Sequence, residues 1–172
     1  AQPFYVNSPF GIALAHNGNL INSKELKQKC IKARRHVNTQ SDSEILLNIL
    51  AWKISDVKNE IPNQDDIFNA VSGVIDEIRG GYAVVSLVLG VGLIAFRDPH
   101  GIRPMVLGSR KTEDGRTEYM VASESVALDV SGFRLDRDVA PGECILITKD
   151  GKLYSRICAK APVLQPCIFE YV

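Results

Sequence analysis

Tyr82-Ala83-Val84-Val85-Ser86-Leu87-Val88-Leu89, then Gly90-Val91-Gly92, then Leu93-Ile94-Ala95-Phe96-Arg97, is the stretch whose reading decides the fold. Two apolar runs flank a glycine-rich turn, the pattern of a β-hairpin. A sheet with one wet face alternates apolar and polar residues, and this hairpin is apolar at nearly every position. Both of its faces therefore need cover, which predicts a layered sandwich.

On the N-terminal side of the hairpin the pattern is helical. Ile67, Phe68, Val71, Val74, Ile75 and Ile78 share one face of a helix expected over 65–79, closed by Gly80-Gly81. A polar connection, 56–64, precedes it. Ser41 and Glu44 stand in S-x-x-E spacing ahead of Ile45, Leu46, Ile49 and Leu50, which reads as a capping box opening a second helix. Asn22 and Glu25 suggest a similar start for a helix running to about Ala33, and 11–16 read as a strand. Residues 1–10, with Pro3 and Pro9, read as extended or looped.

The C-terminal side is a run of hairpins. Residues 105–110 pair with 118–123 across Thr112-Glu113-Asp114-Gly115, and 144–148 pair with 152–157 around Lys149-Asp150-Gly151. Between them a short helix runs from Ser123-Glu124-Ser125 to Asp129. Helices early and antiparallel hairpins late define an α+β domain.

The 172 residues suit one domain with a sizeable core. Lys+Arg and Asp+Glu both number 20, so charge gives no case for nucleic acid or a membrane surface as partner. The apolar run from 82 to 96 is too short and too interrupted to span a bilayer. Cys30, Cys144, Cys158 and Cys167 have no paired spacing, which points away from disulfides and towards a reduced, cytoplasmic setting. The sequence opens on Ala1-Gln2-Pro3 and closes on Phe169-Glu170-Tyr171-Val172, and the expectation is a piece of a longer protein.

The most informative polar stretch is Leu14-Ala15-His16-Asn17-Gly18-Asn19-Leu20. Asn17 offers an amide donor and Gly18 an unobstructed backbone N–H, the two donor types of an oxyanion hole. Asn-Gly is equally the residue pair of a tight turn. Capping accounts for Ser41 and Glu44 and leaves Asp42, in the first turn, free to receive a ligand ammonium. No cysteine lies in an activating motif, the histidines (His16, His36, His100) are isolated, and neither metal-ligand spacing nor a phosphate loop is present.

Several stretches together resemble one family. They are Gln2-Pro3-Phe4, His16-Asn17-Gly18-Asn19-Leu20, Ser41-Asp42-Ser43-Glu44, Phe96-Arg97-Asp98-Pro99 with Gly101-Ile102-Arg103-Pro104, and Tyr119-Met120-Val121-Ala122-Ser123-Glu124-Ser125. Over essentially its whole length the chain resembles the glutaminase domain of the glutamine phosphoribosylpyrophosphate amidotransferases, which commit phosphoribosyl pyrophosphate to purine synthesis. The segment from Pro166-Cys167 to Phe169-Glu170-Tyr171-Val172 looks like the passage into their phosphoribosyltransferase domain. Phe-Arg-Asp-Pro and Phe-Glu-Tyr-Val argue against the related enzymes that make glucosamine 6-phosphate.

The resemblance implies an incomplete four-layer αββα sandwich of the N-terminal-nucleophile hydrolase type, with residues 1–172 as a partial type-2 glutamine amidotransferase domain. It implies that Asn17 and Gly18 form the oxyanion hole, and that Gly18 and Asp42 hold the amino group of glutamine. The family's nucleophile, an N-terminal cysteine, has no counterpart among the four cysteines here, and the piece alone is expected to be inactive. Arg97 to Pro104 and Ser123-Glu124-Ser125 are expected to be structural. Phosphoribosyl pyrophosphate and Mg2+ would belong to the second domain, and the parent would be a homo-oligomer. Cys167 stands where some relatives place one ligand of an iron–sulfur cluster, which needs about four thiolates; a cluster in the parent would draw its other ligands from outside this chain, which alone gives it no support. The alternative is a glutamine-binding or regulatory domain that kept the fold and lost catalysis.

Overall fold

A computed structural model describes residues 1–171; Val172, where the expected domain junction ends, lies outside the described residues. Among the described residues nine strands and four helices follow one another as β1 (Phe4–Val6), β2 (Ile12–Leu20), α1 (Ser23–Lys32), α2 (Asp42–Ser55), α3 (Gln64–Glu77), β3 (Gly80–Val88), β4 (Gly92–Arg97), β5 (Val106–Lys111), β6 (Thr117–Ala122), α4 (Ser125–Val130), β7 (Arg134–Asp138), β8 (Glu143–Thr148) and β9 (Leu153–Ile157). A short 3-10 turn, Ile168–Tyr171, follows.

The strands form two antiparallel sheets, one of six strands in the order β1-β2-β3-β4-β8-β9 and one of three in the order β6-β5-β7. Alternation along the central hairpin sends its two sets of side chains into two cores. Tyr82, Val84 and Val88 join α1–α3 in the larger core, while Ala83 and Ala95 meet Met105, Leu107, Val139 and Ile145 between the sheets. The helix α2 is buried on nearly every side, from Ile45 through Ile54, because it lies between its neighbouring helices and the sheet. On the outer face of the small sheet, α4 seats Leu128 so closely on Gly108 that a Cβ there would lie 2.8 Å from Leu128 Cδ1. The layers therefore run helix, sheet, sheet, helix, as expected, with the last helix reduced to six residues.

Two local expectations are corrected, and one strand is added. Asn17-Gly18 is not a turn, since β2 continues through it to Leu20, with Asn17 opposite Ala83 and Gly18 opposite Tyr82. The glycines permit this close pairing: Gly18 has φ +144, and a Cβ on it would lie 2.1 Å from the carbonyl oxygen of Gly81. Gly80-Gly81 accordingly open β3 rather than merely closing the preceding helix.

The second correction concerns the helix starts. Ser41 is the N-cap of α2 without a side-chain cap bond. Glu44 instead accepts from the backbone N–H groups of Asn38 (2.7 Å) and Thr39 (2.6 Å), holding the preceding loop. Asn22 likewise bridges to the end of α3 through Glu77 O and Arg79 N. The capping box that does form, Asn63 with Asp66, opens α3. The edge strand β7 was not expected: all five of its residues are exposed, and its sequence, Arg-Leu-Asp-Arg-Asp, carries no apolar alternation to mark it.

Candidate active site

The site forms where β2 emerges past the start of β1. Backbone direction alternates along an antiparallel strand, so successive residues aim their N–H groups at opposite neighbours. Ile21 N donates to Arg79 O at 2.9 Å, and Leu89 N donates to Gly11 O at 2.9 Å, so the odd-numbered residues of this strand face β3. Tyr82, opposite Gly18, is turned the other way: its carbonyl accepts from Asp98 N at 2.9 Å.

The even-numbered residues therefore face away from β3. His16 N donates to Gln2 Oε1 at 2.5 Å, and Leu20 N donates to Asp42 Oδ2 at 3.0 Å. Gly18 lies between them, past the end of β1, and among the described residues its N–H meets no acceptor side chain. An exposed strand donor, flanked by two that are satisfied, is a place prepared for an oxygen from outside.

Asn17 projects to the inner face of the large sheet. A cleft of about 370 Å³ opens there between the sheets, lined by Ala15, Asn17, Ala83, Val85, Met105 and Val121 among others. Asn17 Nδ2 reaches Ser123 Oγ only at 3.5 Å, and its Oδ1 accepts from Arg103. On the helix side, Asp42 sits in the first turn of α2, where the helix dipole favours a carboxylate. One of its oxygens is engaged by Leu20, and the side chain keeps 22% exposure, open to a cation.

Beneath these groups lies His16, whose side chain is 2% exposed. Its Nδ1 is 2.9 Å from Ser43 Oγ, and its Nε2 stands 3.7 Å from Asp42 with no partner at hydrogen-bonding geometry. Burial lowers its pKa, and Asp42 acts in the opposite direction. The structure thus brings Asn17, Gly18 and Asp42 around one strand end.

The cysteines lie elsewhere. Cys30 is buried on α1, and Cys144 and Cys158 are buried in the helix-side core. Cys158 is drawn down to about 7 by Cys144, which itself is pushed up by burial. Cys167, half-buried, donates its N–H to Ile102 O at 3.4 Å. Among the described residues no group of three His, Cys, Asp or Glu side chains could hold a metal ion, and no helix is long and apolar enough to cross a membrane.

Sequence reasoning missed Arg103, the neighbour of Asn17. An arginine inside a Gly-Ile-Arg-Pro turn gives no periodic signal, and only the tertiary course of 98–104 brings it to the site. A wider groove of about 810 Å³ between the hairpin tips around Thr112–Thr117 and Thr148–Lys152 is at the opposite end of the strands. Its Arg116 and Lys152 are paired with Asp114 and Asp150, so it competes poorly for a charged ligand.

A two-sheet sandwich with donors at an open strand end and a carboxylate beside them defines the class. A family model for the glutamine amidotransferase domain matches residues 1–130, and the chain belongs to that family. Its relatives narrow the class. It is 58% identical over its whole length to the amidophosphoribosyltransferase of Escherichia coli, 60% to that of Pseudomonas aeruginosa and 47% to that of Saccharomyces cerevisiae. The chain spans 34% of the length of each of these relatives. The structure of a glutamine phosphoribosylpyrophosphate amidotransferase from B. subtilis, complexed with ADP and GMP, superposes with a TM-score of 0.77 at 32% identity, covering 99% of this chain and 34% of that one.

Proposed function

We propose that this chain is the glutamine-binding part of an amidophosphoribosyltransferase, and that the whole protein hydrolyses glutamine and passes the ammonia to phosphoribosyl pyrophosphate. The observation that carries the reading is the N–H of Gly18, which meets no acceptor side chain among the described residues while those of His16 and Leu20 on either side of it do.

The chemistry follows from those positions. Attack on the side-chain amide of glutamine pushes charge onto its carbonyl oxygen. Gly18 N–H and Asn17 Nδ2 are preorganised donors for that charge, so they stabilise the transition state more than the substrate. Asp42 faces the α-ammonium of glutamine with a charge-assisted bond, fixing which end of the substrate enters the cleft. The nucleophile is a cysteine supplied by a segment of the parent outside this chain: its thiolate adds to the amide carbon, the C–N bond breaks to release ammonia, and water hydrolyses the resulting thioester to glutamate and the free thiol.

Two features support a place for such a segment. The small sheet has three strands against six, so the inner face of β1–β3 is incompletely covered: Tyr5 is 58% and Leu87 49% exposed. These residues lie in one cross-strand row through Ala13, on the side to which β6 presents its open edge. A strand added beside β6 would cover apolar surface and pair that edge at once.

Phosphoribosyl pyrophosphate and Mg2+ belong to the parent's second domain, and the intact protein is a homo-oligomer of the cytoplasm. An iron–sulfur cluster does not fit the described thiols, since three of the four are buried within the sandwich and only Cys167 is near the surface. The test is to incubate the intact protein with glutamine and phosphoribosyl pyrophosphate. Glutamate and pyrophosphate released in equal amounts support the reading, whereas glutamine binding without turnover favours a regulatory domain of the same fold.

A further inference from the structure

Arg103 connects the site to a distant part of the chain. The turn that carries it, 98–104, is built on two buried charges. Asp98 accepts from the N–H groups of His100 (2.9 Å), Ile102 (3.1 Å) and Arg103 (3.2 Å). Arg97 donates to Arg103 O (2.6 Å), Val139 O (2.7 Å) and Gly101 O (2.8 Å). This fixes the backbone from which the Arg103 side chain departs. One terminal nitrogen then donates to Asn17 Oδ1, and the other pairs with Glu170.

The order of atoms matters. A guanidinium has donors only, so the atom of Asn17 that meets it is the carbonyl oxygen. The amide is planar, so holding Oδ1 aims Nδ2 the other way and prevents the flip that would replace a donor with an acceptor. A cation on Oδ1 also polarises the amide and strengthens Nδ2–H as a donor.

We propose that Arg103 is a positioning residue for glutamine hydrolysis, clamping Asn17 so that its Nδ2 serves the oxyanion, and that Glu170 holds the clamp. This rests on the oxyanion role proposed above for Asn17. Glu170 belongs to a segment that lies along the same turn: Val163 N donates to Pro99 O at 3.0 Å and Gln165 N to His100 O at 2.7 Å. The orientation of a donor at the site is thereby tied to the docking of 163–170.

The test is steady-state glutamine hydrolysis by the intact protein carrying Arg103→Met, Arg103→Lys, Glu170→Gln or Asn17→Ala, and by the Arg103→Met/Asn17→Ala double variant. Arg103→Met is expected to lower kcat about ten- to a hundredfold with the KM for glutamine within about twofold, as misplacement of a catalytic donor does. Arg103→Lys keeps the charge but not the fork, and falls between. Glu170→Gln lowers kcat less, in the same direction. The decisive result is the double variant: with Asn17 gone the clamp has nothing to hold, so Arg103→Met costs no further activity. Independent, multiplying losses overturn the proposal, as does a loss of thermal stability with kcat preserved. If Asn17→Ala alone leaves kcat unchanged, the oxyanion assignment fails first and the clamp with it.

Discussion

Leu20 donates its backbone N–H to Asp42 Oδ2 at 3.0 Å, tying the last residue of a strand to the first turn of a helix. The bond fixes one carboxylate oxygen and leaves charge for a ligand. Asp42→Asn keeps an acceptor for Leu20 and removes the charge. We expect the KM for glutamine to rise about ten- to a hundredfold, matching 1.5–3 kcal/mol, or about that range, for a hydrogen bond to a charged group. An unchanged KM would reduce Asp42 to a strand-to-helix tie.

Asn17→Ala removes a donor without touching the backbone of β2. Loss of one oxyanion donor typically costs roughly two to three orders of magnitude in kcat. That is the expected outcome in single-turnover glutamine hydrolysis by the intact protein. A change of only a few-fold would make Asn17 a surface residue of its strand.

Gly18 tests the pairing rather than the chemistry. Its φ of +144 disfavours other residues, and a Cβ would collide with backbone, the carbonyl of Gly81 at 2.1 Å. Gly18→Ala should destabilise the protein by more than about 2 kcal/mol in urea unfolding. Gly115→Asn, in a hairpin tip where nothing lies within 4 Å of an added Cβ, should change stability far less.

His16 makes stability depend on pH. Burial lowers its pKa, so the fold favours the neutral ring; among its charged neighbours Asp42 favours the charged form and Arg103 opposes it. Its contribution is present above the ordinary histidine value of 6.5 and is lost as pH falls from there through the lower folded value. Glu44, Glu77 and Glu143, whose pKa values are lowered, lose theirs only in the carboxylate range. The unfolding midpoint should drop on acidification from about pH 7 to 5.5, and His16→Gln should flatten that limb.

The two-sided hairpin announced the sandwich because burial on both faces leaves a continuous apolar run, and the large sheet follows from it. The edge strand β7 was not legible, since exposed charged residues pair through backbone alone. Ser41 and Glu44 matched a capping pattern, yet tertiary contacts gave Glu44 to Asn38 and Thr39. Asn17-Gly18 read two ways because its strand conformation depends on Gly80, more than 60 positions away, where a Cβ would lie 2.1 Å from the carbonyl oxygen of Asn19, as well as on Gly18 itself. Asn17, Gly18 and Asp42 were nameable from the sequence. Arg103 stood in a stretch expected to be structural, and its contact with Asn17, 86 residues away, was not legible.

The central claim is that Gly18, Asn17 and Asp42 serve a nucleophile held by another part of the parent protein. The most direct test treats the intact protein with a diazoketone analogue of glutamine and maps the adduct by peptide mass. One adduct per chain, on a cysteine outside these 172 residues and suppressed by excess glutamine or by Asp42→Asn, is the predicted result. Labelling of Cys30, Cys144, Cys158 or Cys167, or no glutamine-protected adduct at all, would contradict it.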